Sequence, residues 1–554
     1  MMRVSSGRAA RAVAAAGLAV AALLPGPAGA AAHVSAAARA SGPAGIALPL
    51  HTSGASIVDA SGRPVRLSLV SWYGAESPDY VVGGLAYRPV REIIGQIVAL
   101  GFNGVRLPWS NQMWESDPKV AARYVAANPQ FAGERARTIF EQVVSDLAAA
   151  GLMVVLDNHN SDAEWCCSFT DGNTLWYNRA YPQPAWLADW TSAARAFRGI
   201  PQVIGADLRN EPRGLATWGG PHPADDWHAA AQRGGNAILA VDGRWLIFVE
   251  GTVGGIDLYG VPRLPVRLKR PGRVVYSMHD YGFDHFGLTD YDGWATQVRS
   301  EWGRLAGKYP LWLGEFGTCN TAAGCVTDTG SGSGSGAANG RWFSFITRFL
   351  RYHDVSWSYW PVNGTQSDGL PGQGRTYGAP ESYGLLNTSW AAPELPALTQ
   401  SLRPVQAACP AGPVASGTYY ITSRSSGDVV AIPHGSTTEG TSLEQLPRDN
   451  SAGQRWRVTA LGCGLYSVIS AEDHQSADVR GQSVRPGGGI DQWDYRGIGS
   501  QQFVISRAAP GYATITNLNS MDAIQDPGSS PVAGTPLDQW PGTGAADQQW
   551  SFSS

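Results

Sequence analysis

Charge is scarce in this chain: 16% of residues are charged, the net charge is −4, and no basic run is present that could follow a phosphate backbone. Nucleic acid and anionic membrane surfaces are thereby excluded as partners. Lysine occurs only as Lys119, Lys269 and Lys308, a bias toward arginine that looks like a coding preference and says little about function. Beyond residue 24 no run is long and apolar enough to read as a membrane helix. Cysteine is limited to six residues, and no two have the short spacing, followed by histidines, that a zinc site needs. No glycine-rich phosphate loop follows the first strand-like run, which argues against a doubly wound nucleotide-binding sheet.

What is present is 554 residues, too many for one ordinary core, with an excess of Gly (68) and Trp (21). The N-terminus carries Arg3, Arg8 and Arg11, then AVAAAGLAVAALL from 12 to 24, then small residues. This reads as a secretory signal peptide over 1–31, because the apolar run is too short to span a bilayer. An Ala/Ser/Gly-rich segment follows at 32–47, and the expected product is a secreted, extracellular monomer. In an exported chain the cysteines are expected in disulfides. Cys319 and Cys325 could close a small loop, Cys409 could pair with Cys463, and the adjacent Cys166 and Cys167 are ambiguous.

From 65 to 364 eight short strand-like runs occur, each closed by polar or aromatic residues, such as GVRLPWS, LDNHN, RNEP, MHDYG and GEFG. Helical patterns lie between most of them. In one, Ile139, Phe140, Val143, Val144 and Leu147 recur at helical spacing before Gly151. Strand alternating with helix eight times predicts an α/β fold of the (β/α)8 or TIM-barrel type over 48–408, with the active site at the C-terminal strand ends. TGSGSGSGAANG, 329–340, has linker composition and reads as a flexible loop near the mouth.

Glu211 and Glu315 end two of these strands. Hydrolysis of a glycosidic bond with retention needs one carboxylic acid and one carboxylate about 5–5.5 Å apart. The acid should have a raised pKa and the nucleophile should be held ionised, with Arg106 a candidate donor to Glu315. Asp157, Asp207, Asp280 and Glu250, also near strand ends, are read as structural, with Glu250 evenly balanced. Trp72, Trp109, Trp114, Trp165, Trp176 and Trp218 are candidates for a sugar cleft or for packing.

Over roughly 50–400 the sequence resembles glycoside hydrolase family 5, the cellulase-type retaining hydrolases. The resemblance is carried by Arg106, His159, Asn210-Glu211-Pro212, His279, Tyr281, Glu315 and Trp360, each at a strand end and in the family's order. It implies Glu211 as acid/base and Glu315 as nucleophile. Asn210 would bond the sugar 2-hydroxyl, His279 and Tyr281 would tune and place the carboxylates, and Trp360 would floor the −1 subsite. No cofactor or metal is implied. The insertion WCCSFTDGNTLWYN, 165–178, departs from the common endoglucanase pattern and could wall off part of a cleft.

After a short linker at 409–416 the texture changes. Trp456, Phe503 and Trp550 recur at intervals of 47 residues, as do Gln445, Gln492 and Gln539. Three such repeats, each too small for its own core, should assemble with pseudo-threefold symmetry. Residues 417–554 resemble the ricin-B-type β-trefoil, carbohydrate-binding module family 13, which implies sugar sites at Asp478 with Trp493 and Asp522 with Trp540. Lobe one has Asp428 but Leu446 in the aromatic position. The expected partners are a polysaccharide or glycoside substrate and a glycan on the trefoil, and the leading function is endo-β-1,4-glucan hydrolysis. The alternatives are an exo-acting glucosidase or diglycosidase, hydrolysis of another β-linked polymer such as mannan, and an inactive lectin.

Overall fold

The computed structural model describes residues 45–285, 287–327, 335–409 and 411–554. The expected signal peptide and most of the 32–47 segment lie outside these residues. Eight strands form a closed, wholly parallel barrel. They are β1 (Ser68–Ser71), β2 (Gly104–Ser110), β3 (Met153–Asn160), β4 (Val203–Asp207), β5 (Leu246–Glu250), β6 (Val274–His279), β7 (Leu311–Phe316) and β8 (Ser356–Tyr359). All eight coincide with the strand-like runs of the sequence.

Helices α1 (Val90–Ala99), α2 (Ala136–Ala149), α3 (Gln183–Ala196), α4 (Trp227–Val241), α5 (Tyr291–Glu301), α6 (Ser335–Tyr352) and α7 (Pro396–Gln406) surround it. The five apolar residues of α2 are all buried, each contributing roughly 1.5–3 kcal/mol. No α-helix forms between β5 and β6, where Pro262, Pro265 and Pro271 deny the backbone donors a helix needs. At the N-terminal strand ends, Leu69, Met153, Ile204, Leu246 and Trp312 share an apolar cluster with Ile57 of an antiparallel hairpin and with Leu48 and Leu50 just before it. The hairpin thus plugs the barrel floor and leaves the opposite mouth for chemistry. The Gly/Ser run expected as a loop is corrected in part: from Ser335 onward it is the first turn of α6, while 328–334 lie outside the described residues.

The C-terminal region is an all-β trefoil whose core holds Trp456, Phe503 and Trp550. The glutamine repeat has a structural reason. Gln445, Gln492 and Gln539 are fully buried, and each Nε2 donates to backbone carbonyls of another lobe, Ser530, Ser436 and Ser483, at 2.6, 2.7 and 2.8 Å. Lobes too small to fold alone are stapled to one another this way. The trefoil is docked on the barrel. Leu465, Val504 and Leu518 join the barrel's apolar core, Arg348 of α6 donates to the carbonyls of Leu518 and Asn519 at 2.8 Å, and Asp292 of α5 accepts from the amides of Gly499 and Ser500. The Cys409–Cys463 disulfide bridges the same junction. Cys319–Cys325 and Cys166–Cys167 complete the pairing of all six cysteines.

Candidate active site

Arg106, from the middle of β2, is fully buried and organises the mouth. Its Nε donates to Asp207 at 2.9 Å, Nη1 to Glu315 at 2.5 Å, and Nη2 to the Asn210 carbonyl at 2.8 Å. Nη2 also lies 3.1 Å from Asp157 and 3.3 Å from Glu250. A guanidinium suits this position because its rigid fork serves several carboxylates at once and stays charged when buried. Asp157, Glu315, Asp207 and Glu250 outweigh the burial that would otherwise favour its neutral form.

At the end of β4 the chain turns sharply. Glu211 has φ +47° and its amide donates to Glu250 Oε2 at 2.8 Å. The strand itself ends at Asp207, and the left-handed backbone at Glu211, followed by Pro212, carries the carboxylate over the mouth. On β6, His279 Nδ1 lies 3.0 Å from Glu211 Oε1, and Nε2 lies 3.3 Å from Glu250. Tyr281 donates to Glu315 Oε2 at 2.9 Å. Glycine precedes Glu315 because a Cβ on Gly314 would meet Ser277 Oγ at 2.5 Å and the His279 ring at 3.1 Å. Trp360, after β8, lies nearly parallel to the rings of Tyr73 and His159, with centroids 5.2 and 5.4 Å away, and His159 Nδ1 is anchored 2.7 Å from Asp157.

The structure therefore brings Arg106, His159, Asn210, Glu211, His279, Tyr281, Glu315 and Trp360 to one mouth. Oxygens of Glu211 and Glu315 and a ring nitrogen of His279 lie within 4.8 Å of one another. This trio could offer ligands to a cation, as could Asp207, Glu250 and His279 beside it, but Arg106 and Tyr281 already satisfy both oxygens of Glu315.

Three expectations change. Glu250, read as evenly balanced, touches Arg106 and the Glu211 amide and lies beside His279, so it fixes the position of both. Its strand-end place in β5 was the available signal. Of the six loop tryptophans only Trp165 lines the cleft; Trp72, Trp109, Trp114 and Trp176 are core, and Trp218 packs beside His228 and Tyr276. The third concerns the acid. Burial alone would raise Glu211, as expected, but the hydrogen bond and charge of His279 outweigh it and hold the carboxyl below its usual range. Burial likewise disfavours a charged His279, yet Glu250, Glu315 and Glu211 hold it well above ordinary imidazole.

The cleft has a volume of about 600 Å³. One wall is a clasp between two loops. Gln373 donates to Glu164 at 2.8 Å and accepts from the Trp165 amide at 3.1 Å, and the Arg375 guanidinium lies 3.6 Å above the Trp165 ring. Elsewhere along the rim Phe169, Val253 and Phe283 are exposed.

A family model described as cellulase (glycosyl hydrolase family 5) matches residues 58–366, more than half of the chain. The chain belongs to glycosyl hydrolase family 5. This family-5 protein is thus a retaining glycoside hydrolase, and its residues 406–493 and 499–554 match the ricin-type β-trefoil lectin domain-like model. It is 31% identical over 376 residues to an endoglucanase of Paenibacillus polymyxa, covering 64% of this chain and 87% of that protein. It is 32% identical over 356 residues to the major extracellular endoglucanase of Xanthomonas campestris pv. campestris, covering 60% and 69%. The solved catalytic domain of the major Xanthomonas campestris endoglucanase superposes with a TM-score of 0.55 at 29% identity, over 65% of this chain and 99% of that one. A hyperthermophilic endocellulase of Pyrococcus horikoshii gives 0.54 at 27%, over 65% and 98%.

In the trefoil, strand register separates the two expected sugar sites. Ser476 stands opposite Trp493 and Asp478 opposite Asp491; in the third lobe Ala523 stands opposite Trp540 and Gln525 opposite Asp538. Gln525, not Asp522, therefore occupies the position of Asp478. Asp522 precedes its strand and is equivalent to Asp428 and Gln475, so the pairing of Asp522 with Trp540 is corrected. In the first lobe the same places hold Ala431 and Leu446. Only the second lobe combines a carboxylate with an aromatic. Asp478 accepts from Gln501 at 3.2 Å, and burial raises it to about 6.

Proposed function

We propose that the protein is a secreted endo-β-1,4-glucanase acting by double displacement, with its trefoil holding the polymer near the barrel mouth. The observation that carries the mechanism is that Glu211 and Glu315 face one another across the mouth, an oxygen of each within 4.8 Å of the other, close enough for the paired carboxylates of a retaining hydrolase. Glu315, its two oxygens bonded by Arg106 and Tyr281, attacks the anomeric carbon. Glu211, beside His279 at 3.0 Å, protonates the departing oxygen and then activates water against the glycosyl-enzyme. Asn210, its carbonyl fixed by Arg106, points its amide donors at the 2-hydroxyl, a bond that strengthens in the oxocarbenium-like transition state. Trp360 offers its face to the sugar ring. The names of the endoglucanase relatives support the β-1,4-glucan backbone, and the extracellular relative together with six paired cysteines supports export.

Product analysis of the full-length protein on soluble β-1,4-glucan, β-mannan, xyloglucan, aryl β-glucosides and aryl β-diglycosides tests this reading. Falling viscosity with an oligosaccharide ladder from the glucan is expected. Release of a disaccharide or glucose from an aglycone with polymers untouched would replace it with the exo-acting alternative.

Glu211→Ala should lower kcat/KM on polymer by about 10²–10⁴-fold but by much less on an aryl glycoside whose leaving group needs no proton. Equal losses on both would remove Glu211 from the acid role. In the trefoil, Trp493→Ala should weaken retention on insoluble glycan about tenfold while Trp540→Ala changes it little and kcat on a soluble substrate stays constant. Equal effects of the two substitutions in a pull-down assay would contradict a single second-lobe site.

A further inference from the structure

The 161–173 loop carries adjacent cysteines to the cleft wall, and three ties fix the loop there. Asn173 Oδ1 accepts from the amides of Ser161 and Asp162 at 2.8 and 3.2 Å, Arg213 bonds the Ser168 carbonyl at 2.8 Å and Asp171 at 2.5 Å, and Gln373 holds Glu164 at 2.8 Å. The Cys166–Cys167 disulfide is thereby set between two residues of the reaction centre. Both sulfurs lie within 4.8 Å of a ring nitrogen of His159, and the Asn210 Nδ2 donates toward them at 3.3 and 3.4 Å.

Asn210 is thus gripped from both ends of its amide. Its carbonyl oxygen accepts from Arg106, which fixes which end is the donor. Among the described residues its nitrogen meets only sulfur, a weak acceptor. A strong acceptor there, such as a hydroxyl or a carboxylate, would compete with the sugar for the same donor. A purely apolar wall would leave the buried N–H without any partner in the free enzyme and let the side chain turn. Sulfur does neither: it keeps the donor aimed and lets it go at little cost when a better acceptor arrives.

We infer that the Cys166–Cys167 disulfide is a positioning element that holds the Asn210 amide ready for the 2-hydroxyl of the reacting sugar. This rests on the reading of Asn210 given above. It also gives the departure of 165–178 from the common endoglucanase pattern a role in the chemistry of this cleft.

The test uses the full-length chain and two aryl β-cellobiosides, one intact and one lacking the 2-hydroxyl on the reacting glucose. Wild type, Asn210→Ala, Cys166→Ala/Cys167→Ala and the triple variant are compared for kcat and KM, with thermal melts to verify folding. Asn210→Ala should lose about tenfold in kcat/KM on the intact substrate and little on the deoxy one. The cysteine variant should show the same selectivity, expressed in kcat, and should add nothing in the Asn210→Ala background. Cys166→Ser/Cys167→Ser should lose at least as much, because its hydroxyls accept strongly, and it replaces the alanine variant if that one does not fold. Equal losses on both substrates, or losses that add to those of Asn210→Ala, would overturn the role of the disulfide. Indifference of Asn210→Ala itself to the 2-hydroxyl would overturn the Asn210 reading and this one with it.

Discussion

Glu315→Ala is expected to abolish measurable turnover on polymer and aryl glycosides alike, while the barrel still folds and the trefoil still binds. The two substrates behave alike because no leaving group, however good, removes the need for a nucleophile on the opposite face of the sugar. This contrasts with Glu211, whose loss a good leaving group should mask. Stability should hold or rise. Glu315 is one of four carboxylates around a single guanidinium, and removing it leaves Arg106 with Asp157, Asp207 and Glu250. Added azide or formate should restore some aryl-glycoside cleavage by entering the vacated space, with product of inverted configuration. Retained configuration or near wild-type turnover in this variant would assign the nucleophile elsewhere.

Arg106→Met is expected to cost about 3–5 kcal/mol of barrel stability and all activity, because it strips the countercharge from a fully buried cluster of carboxylates. The sign with pH separates charge from packing. In the wild type Arg106 and His159 together outweigh burial and hold Asp157 below its usual value, so its contribution is present at neutral pH and is lost as pH falls through that lowered value. Without Arg106, burial and mutual repulsion dominate and the folded state takes up protons more readily than the unfolded chain. The deficit should therefore be largest near neutral pH and narrow as pH falls toward about 5. Denaturant melts at several pH values measure this. A deficit that stays constant with pH would mean that Arg106 acts by packing alone. Arg106→Lys should fall between the two, since one ammonium cannot reproduce the fork.

Local pattern carried much of this molecule. The apolar spacing of α2 and the polar endings of β2 to β7 follow from which backbone geometry buries each run, a relation confined to neighbouring residues. The mouth residues were legible because a barrel collects its C-terminal strand ends at one place, although Arg106 reaches the mouth from the middle of β2 rather than from its end. What was illegible depends on partners distant in sequence. Trp109 and Trp165 look alike in a loop sequence, yet one packs against Trp114 and Trp190 and the other lies under Arg375 in the cleft. Burial also predicted a raised Glu211, and only the placement of His279, 68 residues away, reverses the direction. In the trefoil, by contrast, the 47-residue step itself carries Asp478 to Gln525, three residues past Asp522, and strand register agrees.

By itself the sequence determined the order of strands and helices, the two carboxylates and the threefold repeat, because each is written in residue types and short spacings. Only the tertiary structure decided that Arg106 meets Glu315 across 209 residues, that Glu250 holds the Glu211 backbone, that adjacent cysteines face Asn210, and that the trefoil docks on α5 and α6. The physical reason is that barrel closure and domain docking set these neighbours through register and packed surfaces summed over the whole chain, and no local stretch carries that sum.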